Sequence, residues 1–203
     1  MIILVRGNHG SGKSTAVRNA MKLMHCTPIF GSLGMKVPEA YCCFQKASPQ
    51  HIKGPPSFIL GPYQTEATCG FDYITKLGVV RAQEILEKYQ LKASGPHGGH
   101  VVFESIMTSV RILKPSIGRF MEANRDNALI VTLDTSYEEC YRPIEARKLK
   151  SVNGTRWNST HLKAQQIMFE RVTQQYTEAG YRMQYVSRDS APEKLIGWLK
   201  EKH

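Results

Sequence analysis

Several common signatures are missing from this chain. Its five cysteines, Cys26, Cys42, Cys43, Cys69 and Cys140, contain no C-x-x-C pair and no Cys/His grouping with zinc spacing, which excludes a sequence-evident zinc site. An odd count, with two of the five adjacent, does not read as a disulfide framework. Reduced thiols in a cytosol-like, cytoplasmic compartment are expected instead. No apolar run approaches membrane-spanning length, so no membrane partner is expected. The first residues enter a strand-like run directly, and no signal peptide is read there. Internal repeats and low-complexity tracts are also missing. Acidic residues are scarce: 17 Asp plus Glu stand against 27 Lys plus Arg, giving a formal charge of +10. That imbalance favours a polyanionic partner.

What is present is concentrated near the start. The apolar run Met1–Val5 is followed, after one residue, by Gly7-Asn8-His9-Gly10-Ser11-Gly12-Lys13-Ser14. This is G-x-x-x-x-G-K-[ST] between a predicted strand and a predicted helix, the context of a phosphate-binding loop. Glycines let successive backbone N–H groups turn inward around phosphate oxygens. The following helix directs its positive end at the same anion. The spacing assigns the loop Gly7–Ser14, with Thr15 beside it, to nucleotide binding. Lys13 is placed to reach the β- and γ-phosphates, and the Ser14 hydroxyl to ligate Mg²⁺. ATP and Mg²⁺ are the cofactors this pattern implies. His9, inside the loop, is read as shaping the nucleotide site.

Length bounds the chain at 203 residues, one domain that spans 1–203, with an insertion at about 25–57 and a lid at about 140–160. Strands are predicted at Ile2–Val5, Val101–Phe103, Ala128–Leu133 and Arg182–Val186. Tyr41–Phe44 and Ser57–Leu60 read as a small antiparallel excursion. Helices are predicted from Lys13 to about Met24, over Phe71–Gln90, over Ser109–Asn124, from the capping box Ser136-x-x-Glu139, over His161–Ala179 and over Ala191–Lys200. Pro143 is tolerable in its helix only near the first turn. Strands that alternate with helices argue an α/β fold with a parallel sheet covered on both faces.

Ligands of such sheets bind at the carboxyl ends of the strands. That rule selects Glu104, which ends the Val101–Phe103 strand, as a Mg²⁺-holding carboxylate behind Ser14. Asp134 also ends a strand, but the capping box directly after it reads as helix entry. Asp72, at a helix start, is placed to orient an acceptor hydroxyl and take its proton; an N-cap is the plainer role for it. Basic residues cluster at Arg142, Arg147, Lys148, Lys150, Arg156 and Lys163. Arg147, then Arg142, are the candidates to close over a transferring phosphoryl group. The same patch, with Trp157, also fits a nucleic-acid backbone and a stacked base.

The segments RGNHGSGKST and LDTSYEECYRPIEARK resemble the P-loop kinase group, which includes nucleoside, nucleotide, shikimate and gluconate kinases. The resemblance implies a P-loop kinase-type three-layer sandwich with a five-stranded parallel sheet and a lid after the fourth strand. A narrower resemblance rests on Ile59-Leu60-Gly61-Pro62-Tyr63, Thr68-Cys69-Gly70-Phe71-Asp72 and Val102-Phe103-Glu104-Ser105. These are similar to segments of bacteriophage P-loop proteins, some of which resemble 5-hydroxymethyluracil DNA kinases. The chain departs from that pattern at Phe71, where a second glycine is expected. The resemblance implies DNA carrying modified pyrimidines as partner, and an ATP-dependent transfer to the base hydroxymethyl group in the host cytoplasm. A small-molecule or nucleoside/nucleotide kinase, a polynucleotide 5′-hydroxyl kinase and a nucleic-acid-binding ATPase are the alternatives. Oligomeric state has no signature in the sequence.

Overall fold

The computed structural model describes residues 1–31, 36–46, 52–64, 69–76, 78–96, 98–105, 115–150 and 159–201, without the side chains of 52–54, 115–116, 147–150 and 159–161. Its centre is a seven-stranded sheet in the order β2-β3-β4-β5-β1-β6-β7. The strands are β1 (Ile2–Arg6), β2 (Met24–Ile29), β3 (Ala40–Lys46), β4 (Ile52–Leu60), β5 (His100–Glu104), β6 (Ala128–Asp134) and β7 (Arg182–Ser187). The helices are α1 (Lys13–Lys22), α2 (Phe71–Lys76), α3 (Val79–Ala93), α4 (Pro115–Ala123), α5 (Tyr137–Lys150), α6 (Ser159–Glu178) and α7 (Ala191–Trp198).

Strands β4, β5, β1, β6 and β7 are mutually parallel. The sheet is nevertheless seven-stranded and not five-stranded, because β2 and β3 extend it in antiparallel pairing. The predicted hairpin at Tyr41–Phe44 and Ser57–Leu60 is therefore no separate excursion. Its second strand pairs in parallel with β5, through Ile59 and Val102. All described strands of residues 25–57 belong to this one sheet.

Side-chain alternation along each strand builds two cores. Ile2, Leu4, Phe103 and Ile130 face Phe71, Leu86, Phe120 and Val172 of α2, α3, α4 and α6. Ile3, Val5, Val102 and Val131 face Ala16, Val17 and Ala20 of α1 and Leu195 of α7. The result is a three-layer α/β/α arrangement. No described helix is long and apolar enough to cross a membrane.

Three expectations need correction. The helix predicted over 71–90 breaks into α2 and α3 at Gly78, whose φ of 131° no helix accommodates. The break changes the helical phase, and Val80 at the start of α3 is exposed. Cys26 and Cys43 are not free thiols: β2–β3 register sets them opposite one another, and they are joined as a disulfide. Cys42, Cys69 and Cys140 remain thiols. Finally, α5 runs through Pro143 well past its first turn.

Candidate functional site

The glycine-rich loop Gly7–Ser14 leaves β1 at the carboxyl edge of the sheet, where β4 and β5 also end. Lys13 is only 5% exposed. Its Nζ donates to the carbonyls of Gly7 and Asn8, each at 3.0 Å, so the ammonium is folded back onto the loop. Asn8 organises the loop's outer side. Its Oδ1 accepts the His9 N–H at 2.8 Å, and its Nδ2 donates to Gln166 Oε1 of α6 at 2.7 Å. Ser11 is buried, and Thr15 is exposed on the first turn of α1.

Parallel pairing places Glu104 opposite Val5, two residues before the loop begins. Ser14 Oγ donates to Glu104 Oε1 at 2.5 Å. Glu104 is 2% exposed. Burial pushes its pKa up to about 7; Lys13 opposes that rise, the Asp72 carboxylate adds to it, and the Ser14 hydrogen bond and Arg18 charge oppose it. The next residue, Ser105, donates to Asp72 Oδ1 at 2.8 Å. Two consecutive residues at the end of β5 thus hold the two sides of the site, Glu104 toward the phosphate loop and Ser105 toward the first turn of α2.

The approach from β4 is equally constrained. The Gly61 N–H donates to Glu39 O at 2.8 Å, and the Gly70 N–H donates to Pro62 O at 2.7 Å. A Cβ on Gly61 would lie 2.3 Å from the carbonyl carbon of Gly70, so the two chain segments cross in contact. A Cβ on Gly70, whose φ is +72°, would meet Glu104 Oε1 at 1.7 Å. Only glycine permits both that backbone angle and that approach. Beyond it, Arg18 of α1 donates to Cys69 Sγ at 3.1 Å. Burial raises the Cys69 thiol pKa, and the Glu104 charge adds to the rise.

The structure therefore brings Lys13, Ser14, Glu104 and Asp72 together. Arg142 and Lys163 are exposed on α5 and α6. Arg147, Lys148 and Lys150 have side chains outside the described residues, where Arg156 and Trp157 also lie. Asp134 is exposed at the end of β6, and the capping box after it forms as predicted: Glu139 N–H donates to Ser136 Oγ at 3.2 Å, and Ser136 N–H to Glu139 Oε2 at 2.7 Å.

Two arginines escaped the sequence reading. Arg6 is wholly buried, its guanidinium 4.5 Å from the Phe169 ring centre and 5.1 Å from that of Tyr176. It donates to Thr173 Oγ1 at 2.9 Å and to Phe169 O at 3.1 Å, tying α6 to the strand that carries the loop. Burial lowers its pKa to about 10. The only signal was a charged residue in the last position of a core strand. Arg188, just past β7, grips the loop from the other side. Its Nε donates to Ser11 O at 3.0 Å and its Nη2 to Gly10 O at 3.2 Å. The same Nη2 donates to Glu139 O at 3.2 Å. That carbonyl lies four residues before Pro143, which has no N–H to offer it. The hexapeptide of β7 gave no hint of this role.

No protein-family model matches the chain, and no curated protein does. Among solved structures, deoxyadenosine kinase from M. mycoides with bound dATP aligns over 99% of this chain and 100% of its own, at 14% identity and a TM-score of 0.38. YorR protein from Bacillus subtilis, in complex with phosphorylated GDP, aligns over 100% of both chains at 13% identity and a TM-score of 0.52. With YorR the chain shares its fold.

Proposed function

We propose that the protein is an ATP- and Mg²⁺-dependent phosphotransferase whose acceptor is a hydroxyl group on a nucleoside unit. One observation carries this reading. Ser14 of the phosphate loop bonds Glu104 at 2.5 Å, while the adjacent Ser105 bonds Asp72 at 2.8 Å. These two bonds at one strand end support a nucleotide side at Ser14 and Glu104 and an acceptor side at Asp72.

Phosphoryl transfer asks for positioning and for positive charge around the moving group. Lys13 and the loop amides serve the phosphates. The Ser14 hydroxyl and the Glu104 carboxylate are hard oxygen donors of the type Mg²⁺ takes alongside substrate phosphates. They fit the ion without further protein ligands, and bound there it would neutralise phosphate charge. Burial favours the protonated form of Glu104 in the metal-free protein, and it would hold the ion in its ionised form. Asp72 orients the acceptor hydroxyl and takes its proton. Arg142 and Arg147, on the helix that leads toward residues 151–158, are the proposed source of charge closing over the transferring group.

For the acceptor, two readings have separate support. The fold shared with YorR, which was solved with phosphorylated GDP, supports a free nucleoside or nucleotide. The segments 59–63, 68–72 and 102–105, with the net charge of +10, support the 5-hydroxymethyl group of 5-hydroxymethyluracil in DNA. Such a base would have to be presented in the groove or flipped out.

The test follows the γ-phosphate of labelled ATP into three acceptors: end-blocked duplex DNA containing 5-hydroxymethyluracil, the same duplex with thymine, and free nucleosides and nucleotides. Digestion then locates the label. Label on the modified base alone supports the DNA reading. Label on free nucleosides or nucleotides supports the other. Release of inorganic phosphate with no labelled acceptor, or activity undiminished in Lys13→Ala, rejects the proposal.

A further inference from the structure

The helix that carries Asp72 has two sharply different faces. In α2, Phe71 and Ile74 are wholly buried in the core. Asp72, Tyr73 and Lys76 lie on the opposite, outer face, the first two half-buried and Lys76 exposed. Helical spacing requires this grouping. At about 3.6 residues per turn, Lys76 stands one turn from both Asp72 (i, i+4) and Tyr73 (i, i+3). The face is held in place at its start: Ser105 bonds Asp72, and the Tyr73 N–H donates to Gly70 O at 3.2 Å.

The Tyr73 and Lys76 side chains are idle in the fold. Among the described residues, Lys76 makes no hydrogen bond or ion pair, and the Tyr73 ring packs on no other ring or cation. The surrounding charge has one sign. From Tyr73 to Gln83 the chain carries Lys76 and Arg81 and no acidic residue. Arg81 is paired with Glu84 at 3.6 Å, so Lys76 is the cation this face offers to a partner.

An available aromatic ring and an ammonium, one turn apart and beside the carboxylate of the acceptor side, match the base and the phosphate of a nucleotide unit. The exposure of Lys76 selects the form in which that unit arrives. A free nucleotide is taken into a site that encloses most of it, whereas a strand leaves its backbone at the protein surface.

We infer that this face of α2 binds a DNA strand, with Tyr73 stacking on the base whose hydroxyl meets Asp72 and Lys76 contacting a neighbouring backbone phosphate. The inference rests on the phosphotransferase reading of Asp72 and selects a polymeric acceptor over free nucleosides and nucleotides. A base that reaches Asp72 has left its stack, and the Tyr73 ring replaces a lost neighbour.

The experiment is fluorescence anisotropy of a labelled oligonucleotide carrying 5-hydroxymethyluracil, single-stranded and as a duplex, titrated with the intact protein over a series of salt concentrations. ATP binding and thermal unfolding are measured beside it. Lys76→Ala is expected to weaken binding and to reduce the slope of log Kd against log salt by about 0.7–0.9, the share of one phosphate. Tyr73→Leu should weaken binding about tenfold with the slope unchanged. Tyr73→Phe, which keeps the ring, should bind as wild type does. ATP affinity and melting temperature should match wild type in all three. Four results overturn the inference: no DNA binding by the wild type, a wild-type slope in Lys76→Ala, wild-type binding in Tyr73→Leu, or a loss in Tyr73→Leu that accompanies a melting temperature lowered by several degrees. Labelled phosphate passing to free nucleotides and not to DNA also overturns it, while sparing the phosphotransferase reading. The expected binding losses with no transfer to any acceptor uphold the DNA-binding face and reject that reading.

Discussion

Arg188 occupies the helix carbonyl that Pro143 leaves without a partner. Pro143 lacks the N–H that would close a turn onto Glu139 O, and Arg188 Nη2 donates there at 3.2 Å while also holding Gly10 O. The arginine thereby joins α5 to the phosphate loop. Arg188→Ala is expected to weaken ATP binding about tenfold, in keeping with hydrogen bonds from a charged donor. The acceptor KM should not change. Lysine cannot serve three carbonyls with one geometry, so Arg188→Lys should recover only part of the loss. A double-mutant cycle with Pro143→Ala adds a check: restoring the helical N–H should soften the stability cost of Arg188→Ala. Additive effects in that cycle would separate the two residues.

Gly70 should be intolerant of the smallest substitution. In Gly70→Ala the new methyl would meet Glu104 Oε1 at 1.7 Å with φ at +72°. Stability should drop by about 1–3 kcal/mol from backbone strain. Transfer should drop by at least about 100-fold, because displacing a positioned group by about 1 Å carries that cost. Chemical denaturation and steady-state kinetics on one preparation measure both. Wild-type turnover in this variant would contradict the packing of Gly70 on Glu104.

Asp72→Asn keeps an oxygen that Ser105 can still bond and removes the base. Transfer should fall about 10²–10⁴-fold, with ATP affinity within about twofold of wild type. A parallel loss of ATP affinity would move Asp72 from the acceptor side to the nucleotide side.

Glu104 gives the metal-free protein a specific pH signature. Its folded-state pKa is raised from 4.5 to about 7, with burial as the first cause. Between those values the folded form carries a proton that the unfolded form has lost. Stability must therefore decline as pH rises through this window, by about 3 kcal/mol in total, and level off above it. Urea unfolding from pH 5 to 8 should reveal the decline, and Glu104→Gln should flatten it. A contribution from this residue that instead grows with pH would show that Glu104 is ionised in the folded protein.

The parts of this site written in consecutive residues were legible in the sequence. Gly7–Ser14 encodes its loop through glycine spacing, and Ser136-x-x-Glu139 encodes its cap through side chains one turn apart. The three apolar runs of β1, β5 and β6 announce themselves by buried composition. What escaped depends on residues distant in the chain. The strand β2, Met-His-Cys-Thr-Pro-Ile, has little alternation and starts immediately beyond a helix, so its pairing with β3 and the Cys26–Cys43 bridge had no local signal. Ser105 and Asp72 looked like separate polar residues until β5 and α2 were adjacent. Arg188 had no motif at all, because its partners are backbone carbonyls, which every residue possesses.

The crossing of Gly61 and Gly70 makes the intervening stretch a replaceable part. Its two ends are clamped to each other, Gly61 also to Glu39 and Gly70 to Pro62. Insertions between Tyr63 and Cys69, whose contacts with Tyr41 and Arg18 are kept, can lengthen it at small entropic cost without moving Asp72 or Glu104. The phosphate machinery would then be a fixed chassis, and the choice of acceptor a cassette that evolution, or an engineer, can swap.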